Sequence, residues 1–560
     1  MDNTCKKVSW SSFFLAVLSG IVTAISFPGF VTFLQAKPYI KPPMYCHGLP
    51  LTFFCLVPLF FALKGKRLRS AFALAFTSGF VFYLILVHWM GALVYWGGAP
   101  GLVGYVGLSA VMALYWGLFG VLALVVIKRT RFPDWLTIPC LWVLMEYGHS
   151  NFPIGGFCWG NLGYSQAEDQ NLIQWASIGG VYIVSFFMAV FNVLFYRAVS
   201  GARKLSVKAL LRPVAAIACL IFVLQIIGGM LRKEQDDPPQ EEMNVSILQH
   251  GYTPMMKWTL TDYRQTMLDM HTYLSKKGTP DDVDLIVWPE ASLPGHLMES
   301  GFSKFKKAAE SVASEKNTYL LTGSLAYVEE ELLDEEQKKG KNRDRPSYNS
   351  AFLFGREGEF VDRYDKHHLA PFGEYVPFSE HLPFLRSLTL VPNDMKPGVA
   401  GKVLDTDKAR IGTLICFEST DPKMARDQVN KGAQLLVTIS NLGWFGASGC
   451  PIQELAISRF RAVENRAPVA KSGELGITCF IDAWGRPFTG DVFRRYGGSK
   501  GAGKRAPLQL YQRGICSADL DISKRSSIYK TCGDWIIYAA AGLLFISVIV
   551  GRKKAPQSLL

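Results

Sequence analysis

Apolar residues are partitioned sharply along this chain. Up to about residue 231 they occur in runs of roughly 20, the length a helix needs to cross a hydrocarbon core of about 30 Å. The pattern predicts transmembrane spans at 9–27, 48–63, 70–90, 102–127, 133–148, 172–196 and 209–231, and an eighth at 534–551. Lys6 and Lys7 precede the first run, which reads as a retained signal anchor because further spans follow directly. From Glu234 the pattern changes. KEQDDPPQEE is a polar, proline-containing linker. Beyond it, short β-type runs at 244–250, 284–290, 318–324, 350–355, 410–418 and 434–440 alternate with helix-like intervals, among them 259–276, 301–316 and 452–466. Continuous Ile/Val/Leu strands imply burial on both faces, as in a layered α/β domain. The organisation expected is a helical membrane domain over 1–233, an α/β domain over 234–533, and a final helix with a basic tail over 534–560.

Composition agrees with a membrane protein carrying a large polar domain. Mean hydropathy is +0.16, with 49% hydrophobic and only 19% charged residues in 560. The net charge of +13 does not indicate nucleic acid, because many basic residues sit in short loops beside apolar runs rather than on one polar face. Lys64, Lys66, Arg67 and Arg69, then Lys128–Arg131, then Arg197–Arg212, occupy alternate loops. The intervening loops 91–100 and 149–171 hold no Lys or Arg, and 28–47 holds only Lys37 and Lys41. The positive-inside rule then puts both termini in the cytoplasm and the α/β domain on the outer side. Arg232 and Lys233 are the one pair out of place, and the last span ends on Arg552, Lys553 and Lys554. The eleven cysteines show no metal-ligand spacing. An outward domain permits a disulfide among Cys450, Cys479, Cys516 and Cys532, with the pairing left open.

Two polar insertions, 329–346 and 497–507, read as loops. The second begins like a phosphate-binding loop, from Gly498 to Lys504. Arg505 and Pro507 then stand where a Ser or Thr and a continuing helix are required. Neither a metal nor a cofactor is expected.

Three residues stand at the polar ends of strands or in Gly/Pro-rich loops: Glu290 in DLIVWPEAS, Lys366 in KHHLAPFGEYVP and Cys416 in TLICFES. Ligand sites in layered α/β domains lie beyond such strand ends. Singly, each has an ordinary reading, the cysteine as a core residue and the other two as solvated charges.

Together, WPEAS, KHHLAPFGEYVP and CFE resemble the Glu–Lys–Cys signature of the nitrilase (carbon–nitrogen hydrolase) superfamily. With the flanking spans, nearly the whole chain resembles the apolipoprotein N-acyltransferase family, and QHGYTPMMKW and ISNLGWFG are supporting matches. The resemblance implies an αββα nitrilase-like sandwich beside about eight transmembrane helices. The protein would sit in a bacterial inner membrane with its catalytic domain in the periplasm. It implies transfer of an acyl chain from a phospholipid, through a thioester on Cys416, to the α-amine of a diacylated lipoprotein, by a monomer without cofactor or metal. Glu290 would be the base. Lys366, with the backbone amide of Phe417, would stabilise the oxyanion. Glu374 would orient Lys366, and Glu418 would orient a loop or the incoming amine. Trp258 would lie near the entrance and Asn349 near the lipid headgroup. The chain departs from the family in three places. Phe417 stands where Tyr is common, Leu442-Gly443 replaces a polar pair, and KSGELGIT (471–478) lacks the family's Arg and Asn. A membrane-tethered amidase using the same three residues, and a transporter using His88, Glu146 and Asn192, are the competing functions.

Overall fold

In the computed structural model, residues 8–29, 50–203, 207–232, 238–252, 262–333, 345–389, 393–446, 448–493 and 512–551 are described. Trp258, the loop 497–507, most of 329–346, the Lys37/Lys41 loop and the basic tail from Arg552 lie outside them. The chain divides into two compact units. One holds 1–234, 448–456 and 531–560; the other holds 235–447 and 457–530.

The first unit is helical: α1 (Trp10–Ile25), α2 (Val57–Leu63), α3 (Leu68–Leu86), α4 (Leu93–Gly97), α5 (Ala99–Arg129), α6 (Asp134–Asn151), α7 (Ala176–Arg203) and α8 (Val207–Leu231). Helices fall wherever a span is expected. Among the described residues, four stretches are long and apolar enough to cross a membrane: Leu68–Leu86, Ala99–Arg129, Leu172–Ala202 and Leu210–Leu231. Trp10–Ile25, Pro50–Leu63 and Trp535–Ile549 are apolar but shorter. On α8, Leu211, Phe222 and Met230 are exposed, as suits a face meant for lipid rather than water.

Where helices meet, small residues allow close approach. A Cβ on Gly120 of α5 would come within 2.6 Å of Ala75 Cβ and 2.8 Å of Ala71 O on α3. The polar side chains inside this unit serve local structure. Asn192 accepts from Leu56 N and donates to Thr52 O and Met188 O. Glu146 accepts from Trp142 Nε1 and Leu162 N, and His88 Nδ1 pairs with Ile85 O. These contacts are bonds to backbone atoms and to a tryptophan ring nitrogen within the unit. Gln453, in the 448–456 piece of the same unit, accepts from Trp89 Nε1 and Trp159 Nε1, both at 2.9 Å, and donates to Leu86 O at 3.0 Å.

The second unit is built on two sheets. Among the described residues, a seven-stranded sheet has the order β12 (Asp491–Phe493), β13 (Gly514–Asp521), β1 (Glu242–Gln249), β2 (Leu285–Val287), β3 (Tyr319–Tyr327), β4 (Ser347–Phe354), β5 (Phe360–Asp365), and a six-stranded sheet the order β11 (Pro487–Phe488), β10 (Cys479–Ile481), β9 (Val469–Gly473), β8 (Leu435–Ser440), β7 (Arg410–Ile415), β6 (Val403–Asp405). In the first, β1 (Glu242–Gln249), β2 (Leu285–Val287) and β3 (Tyr319–Tyr327) run parallel, followed by β4 (Ser347–Phe354) and β5 (Phe360–Asp365) as antiparallel neighbours. In the second, β7 (Arg410–Ile415), β8 (Leu435–Ser440) and β9 (Val469–Gly473) are parallel. The helices of this unit are α9 (Tyr263–Gly278), α10 (Ser303–Lys316), α11 (Pro422–Asn430) and the C-terminal part of α12 (Cys450–Asn465). Two helices close the chain, α13 (Ile528–Cys532) and α14 (Trp535–Ile549).

Side-chain alternation divides β2 between two cores. Leu285 and Val287 of β2 join Val245, Ile247, Leu321, Ile411, Val437 and Ile439 between the sheets. Ile286, between them in sequence, packs outward with Leu268, Leu274, Ala309 and Val312 of α9 and α10. Two-sided burial is why these strands read as continuous apolar runs.

Structure differs from the pattern mainly in the short elements. The 284–290 run pairs as a strand only over three residues before Pro289, and β5, β6, β9 to β13 and α11 carry too little apolar signal to be singled out. Cys450, Cys479, Cys516 and Cys532 are thiols, and no disulfide joins them. Substituting Gly120 with valine is expected to destabilise the helical unit by about 1–3 kcal/mol through overpacking. A lowered thermal midpoint of the detergent-purified protein, read by a thiol-reactive dye, checks this.

Candidate active site

The three strand-end residues come from three different crossings of the α/β unit. Cys416 follows β7 and opens a short 3-10 turn over Cys416–Thr420. Its φ of +53° is left-handed, a strained conformation for a side chain with a Cβ. Ala291, directly after Glu290, has φ +51°. The turn carrying Glu290 lies hard against β3: a Cβ on Gly323 would sit 2.7 Å from both Glu290 Cα and Ala291 N. A glycine inside the apolar run TYLLTGS is the sequence signal for such close backbone approach. Lys366 follows β5, its amide donating to Asn349 O at 2.8 Å and its carbonyl accepting from Gly398 N at 2.8 Å.

Around Cys416 the carboxylates are buried and held. Glu290, Lys366 and Glu374 are 8%, 1% and 8% exposed, so their charges must balance one another rather than rely on water. Lys366 Nζ lies 2.9 Å from each oxygen of Glu374. Asn349 Nδ2 donates to Glu290 Oε1 and to Glu374 Oε1, both at 2.8 Å. Glu374 Oε2 accepts from Ala370 N at 2.7 Å, and Glu290 Oε2 accepts from Asn441 N at 2.8 Å.

Asn349 therefore sits between the two carboxylates, where its amide is engaged. Its register explains why. It lies on β4 opposite Leu325 of β3, one residue before the partner of Asp365 and so beside Lys366. Asn441 was missed because its contribution is a backbone amide, which no side-chain pattern reveals.

Glu418 is fully buried. Its Oε1 accepts from Tyr364 Oη at 2.8 Å, His367 N at 2.7 Å and His368 N at 3.0 Å. Its Oε2 accepts from Ile415 N at 2.8 Å. One carboxylate thereby ties the Lys366 loop to the nucleophile turn, its oxygens engaged by backbone amides and the Tyr364 hydroxyl. The Phe417 ring meets His368 edge-on at 5.3 Å, and His368 Nδ1 pairs with Asp421 Oδ2 at 3.0 Å.

Electrostatics follow from this burial. Burial pushes the Glu290 carboxyl above the ordinary carboxylate range; Lys366 opposes the shift and Glu374 adds to it. Burial would depress the Lys366 ammonium, but Glu374, Cys416, Glu290 and Glu418 more than offset it and hold it firmly protonated. Burial would likewise raise Glu374, yet Lys366 and its hydrogen bonds bring it below the ordinary value. Glu418 is raised by burial despite its donors. A fixed cation, a carboxylate kept ionised beside it and a second carboxylate poised to exchange a proton, all around a thiol, make an arrangement suited to nucleophilic acyl transfer. Among the described residues no cluster of His, Cys, Asp or Glu could hold a metal ion.

Comparison with known proteins gives the class first. Residues 244–490 match the carbon–nitrogen hydrolase family model, and residues 19–194 match that of the apolipoprotein N-acyltransferase N-terminal domain. The apolipoprotein N-acyltransferase of Geobacter metallireducens is 31% identical over 97% of this chain and 96% of its own length. Those of Chlorobaculum tepidum and Pseudomonas aeruginosa are 26% and 28% identical, over 97% and 98% of this chain and of each of theirs. Among solved structures, Nit3 of Saccharomyces cerevisiae, a nitrilase-superfamily member, is 17% identical over 50% of this chain and 91% of its own, with a TM-score of 0.34. This chain belongs to the apolipoprotein N-acyltransferase family, and it is a membrane-bound acyltransferase with a nitrilase-like α/β domain.

Glu418→Gln is expected to cost about 1–3 kcal/mol, because its amide NH₂ would face an N–H donor whichever way it turned. A thermal midpoint below that of the unsubstituted protein checks it.

Proposed function

We propose that this acyltransferase takes a fatty acyl chain from a phospholipid onto Cys416 as a thioester. It then delivers the chain to the α-amine of the S-diacylglyceryl-cysteine that begins a lipoprotein. The observation carrying this reading is the buried Glu290–Asn349–Glu374–Lys366 network around a strained cysteine in a membrane-bound chain.

In the first half-reaction Glu290 takes the Cys416 proton as sulfur attacks the ester carbonyl. The oxyanion forms facing the Lys366 ammonium and the Phe417 amide. Collapse expels the lysophospholipid oxygen, which receives the proton back from Glu290. In the second, the amine attacks the thioester, Glu290 accepts its proton, and Cys416 leaves and is reprotonated. A thiol near its ordinary pKa of about 8.5 is only a few per cent ionised at neutral pH, so a base beside it is required.

Both substrates are anchored in the bilayer, which raises their effective concentration at a membrane-bound site. The loop charges support an orientation with both termini cytoplasmic and the α/β unit on the outer side, which in a bacterial inner membrane is the periplasm; the chain would act as a monomer.

With an alkyne-tagged acyl phospholipid, the protein is expected to acquire a hydroxylamine-labile label that Cys416→Ala does not. The label should then move to a lipopeptide amine. Labelling of Cys416→Ala would overturn the thioester, and release of free fatty acid in place of transfer would indicate a hydrolase.

Glu290 acts as a base only when ionised, so thioester formation should fall as pH drops through its raised pKa. Asn349→Leu removes a hydrogen bond that favours the ionised form. It is expected to move that acid limb to higher pH by about one unit, the equivalent of one hydrogen bond to a charged group. The pH dependence of single-turnover acylation checks the direction.

A further inference from the structure

In the proposed mechanism the oxyanion faces two donors that stand on different segments of the α/β unit. Lys366 follows β5, and Phe417 is the second residue of the turn Cys416–Thr420 that follows β7. Donors on separate segments act together only if the distance between them is fixed. Glu418 is one tie between these segments. A second is made by a side chain that the acyl-transfer steps leave unused, that of His368.

His368 stands two residues after Lys366. Its amide donates to Glu418 Oε1 at 3.0 Å, as any residue there would. Its side chain adds what the backbone cannot. Nδ1 lies 3.0 Å from Oδ2 of Asp421, the residue that follows the turn, and the ring meets that of Phe417 edge-on at 5.3 Å. The His368 and Asp421 side chains are 12% and 17% exposed, so the pair is shielded from the water that weakens surface pairs. Burial would raise the Asp421 carboxyl, but His368, the Lys423 amide and Arg461 bring it below the ordinary value. A carboxylate only accepts, so Nδ1 carries the hydrogen.

Asp421 is itself anchored. Its Oδ1 caps α11 by accepting from Lys423 N at 2.8 Å, and its amide donates to Glu418 O at 3.1 Å. Within the turn, Ser419 Oγ donates to Cys416 O at 2.9 Å and Thr420 Oγ1 to Phe417 O at 2.8 Å. Arg461 Nη1 holds the far end through Thr420 O at 2.9 Å. A turn so braced carries a displacement at Asp421 back to the Phe417 amide.

We propose that His368 is a positioning residue for the oxyanion site: by gripping Asp421 beside the Phe417 ring, it holds the nucleophile turn against the Lys366 segment, so that the Phe417 amide and the Lys366 ammonium meet the same oxygen.

This inference rests on the reading in which those two groups hold the oxyanion. Two reactions of one thiol separate positioning from general stability. Acyl transfer from the tagged phospholipid passes through a tetrahedral oxyanion. Alkylation by iodoacetamide displaces iodide at a saturated carbon and forms none. Both are followed at Cys416 by peptide mass spectrometry, with the full chain in proteoliposomes. His368→Phe keeps a ring beside Phe417 and loses the Asp421 bond. It should slow single-turnover acylation about 10- to 100-fold, up to the cost of losing one oxyanion donor. The half-saturating phospholipid concentration and the alkylation rate should stay unchanged. His368→Asn places an amide N–H where Nδ1 stands and should restore most of the acylation rate. Should His368→Phe lower the yield of folded protein, adding Asp421→Asn leaves no carboxylate alone and keeps the helix cap, and the same selective loss is expected. The role of His368 is overturned if acylation and alkylation fall together, if acylation does not fall, or if His368→Asn is as slow as His368→Phe. If instead the doubly substituted Lys366→Met, Glu374→Gln protein acylates at the unsubstituted rate, the oxyanion reading itself fails.

Discussion

An ammonium group held out of water needs carboxylates arranged around it, and that requirement organises this site. Lys366 is 1% exposed, and Glu374 neutralises it at 2.9 Å from both oxygens. Asn349 then joins Glu374 to Glu290, and Glu418 holds the loop on which Lys366 stands. Taking two charges from water is costly, and their attraction offsets the cost only if geometry and remaining hydrogen bonds are satisfied. The satisfied bonds here come from backbone amides, those of Ile415, His367, His368 and Asn441 at or just beyond strand ends and that of Ala370 in the loop after β5. A site of this kind keeps its geometry only as well as the sheets beneath it.

The two sheets supply that rigidity. Between them lie Val245, Ile247, Leu285, Val287, Ile411, Val437 and Ile439, all fully buried, and the parallel strands end in Glu290, Cys416 and Ser440–Asn441. Gly323 lets β3 pass directly beneath the Glu290 turn. The positive φ at Cys416 is a strain that surrounding structure has to over-determine, and Glu418, two residues on, does so by binding the amide just before it.

The membrane unit obeys a different constraint. Large apolar side chains such as Leu211, Phe222 and Met230 are exposed, and Asn192 and Glu146 are buried and take backbone and tryptophan ring partners within the unit. The 448–456 segment, which its position in the chain assigns to the α/β domain, clusters with the helices, and Gln453 is bonded there to two tryptophans. A sequence pattern cannot reveal this, since a helix can leave one unit for another without any change in periodicity.

Sequence alone determined the partition into membrane and α/β parts, because run length and two-sided burial are written into local hydrophobicity. Through three strings resembling a known family, it also determined Glu290, Lys366 and Cys416 as the residues to bring together. It left open what surrounds them. Asn349 bridging two carboxylates, the Asn441 amide, Glu418 binding loop to turn and His368 meeting Asp421 all depend on which strands lie side by side. Tertiary structure decided these, because hydrogen bonds and charge balance join residues far apart in the chain, and a pattern of single positions carries no record of such pairs.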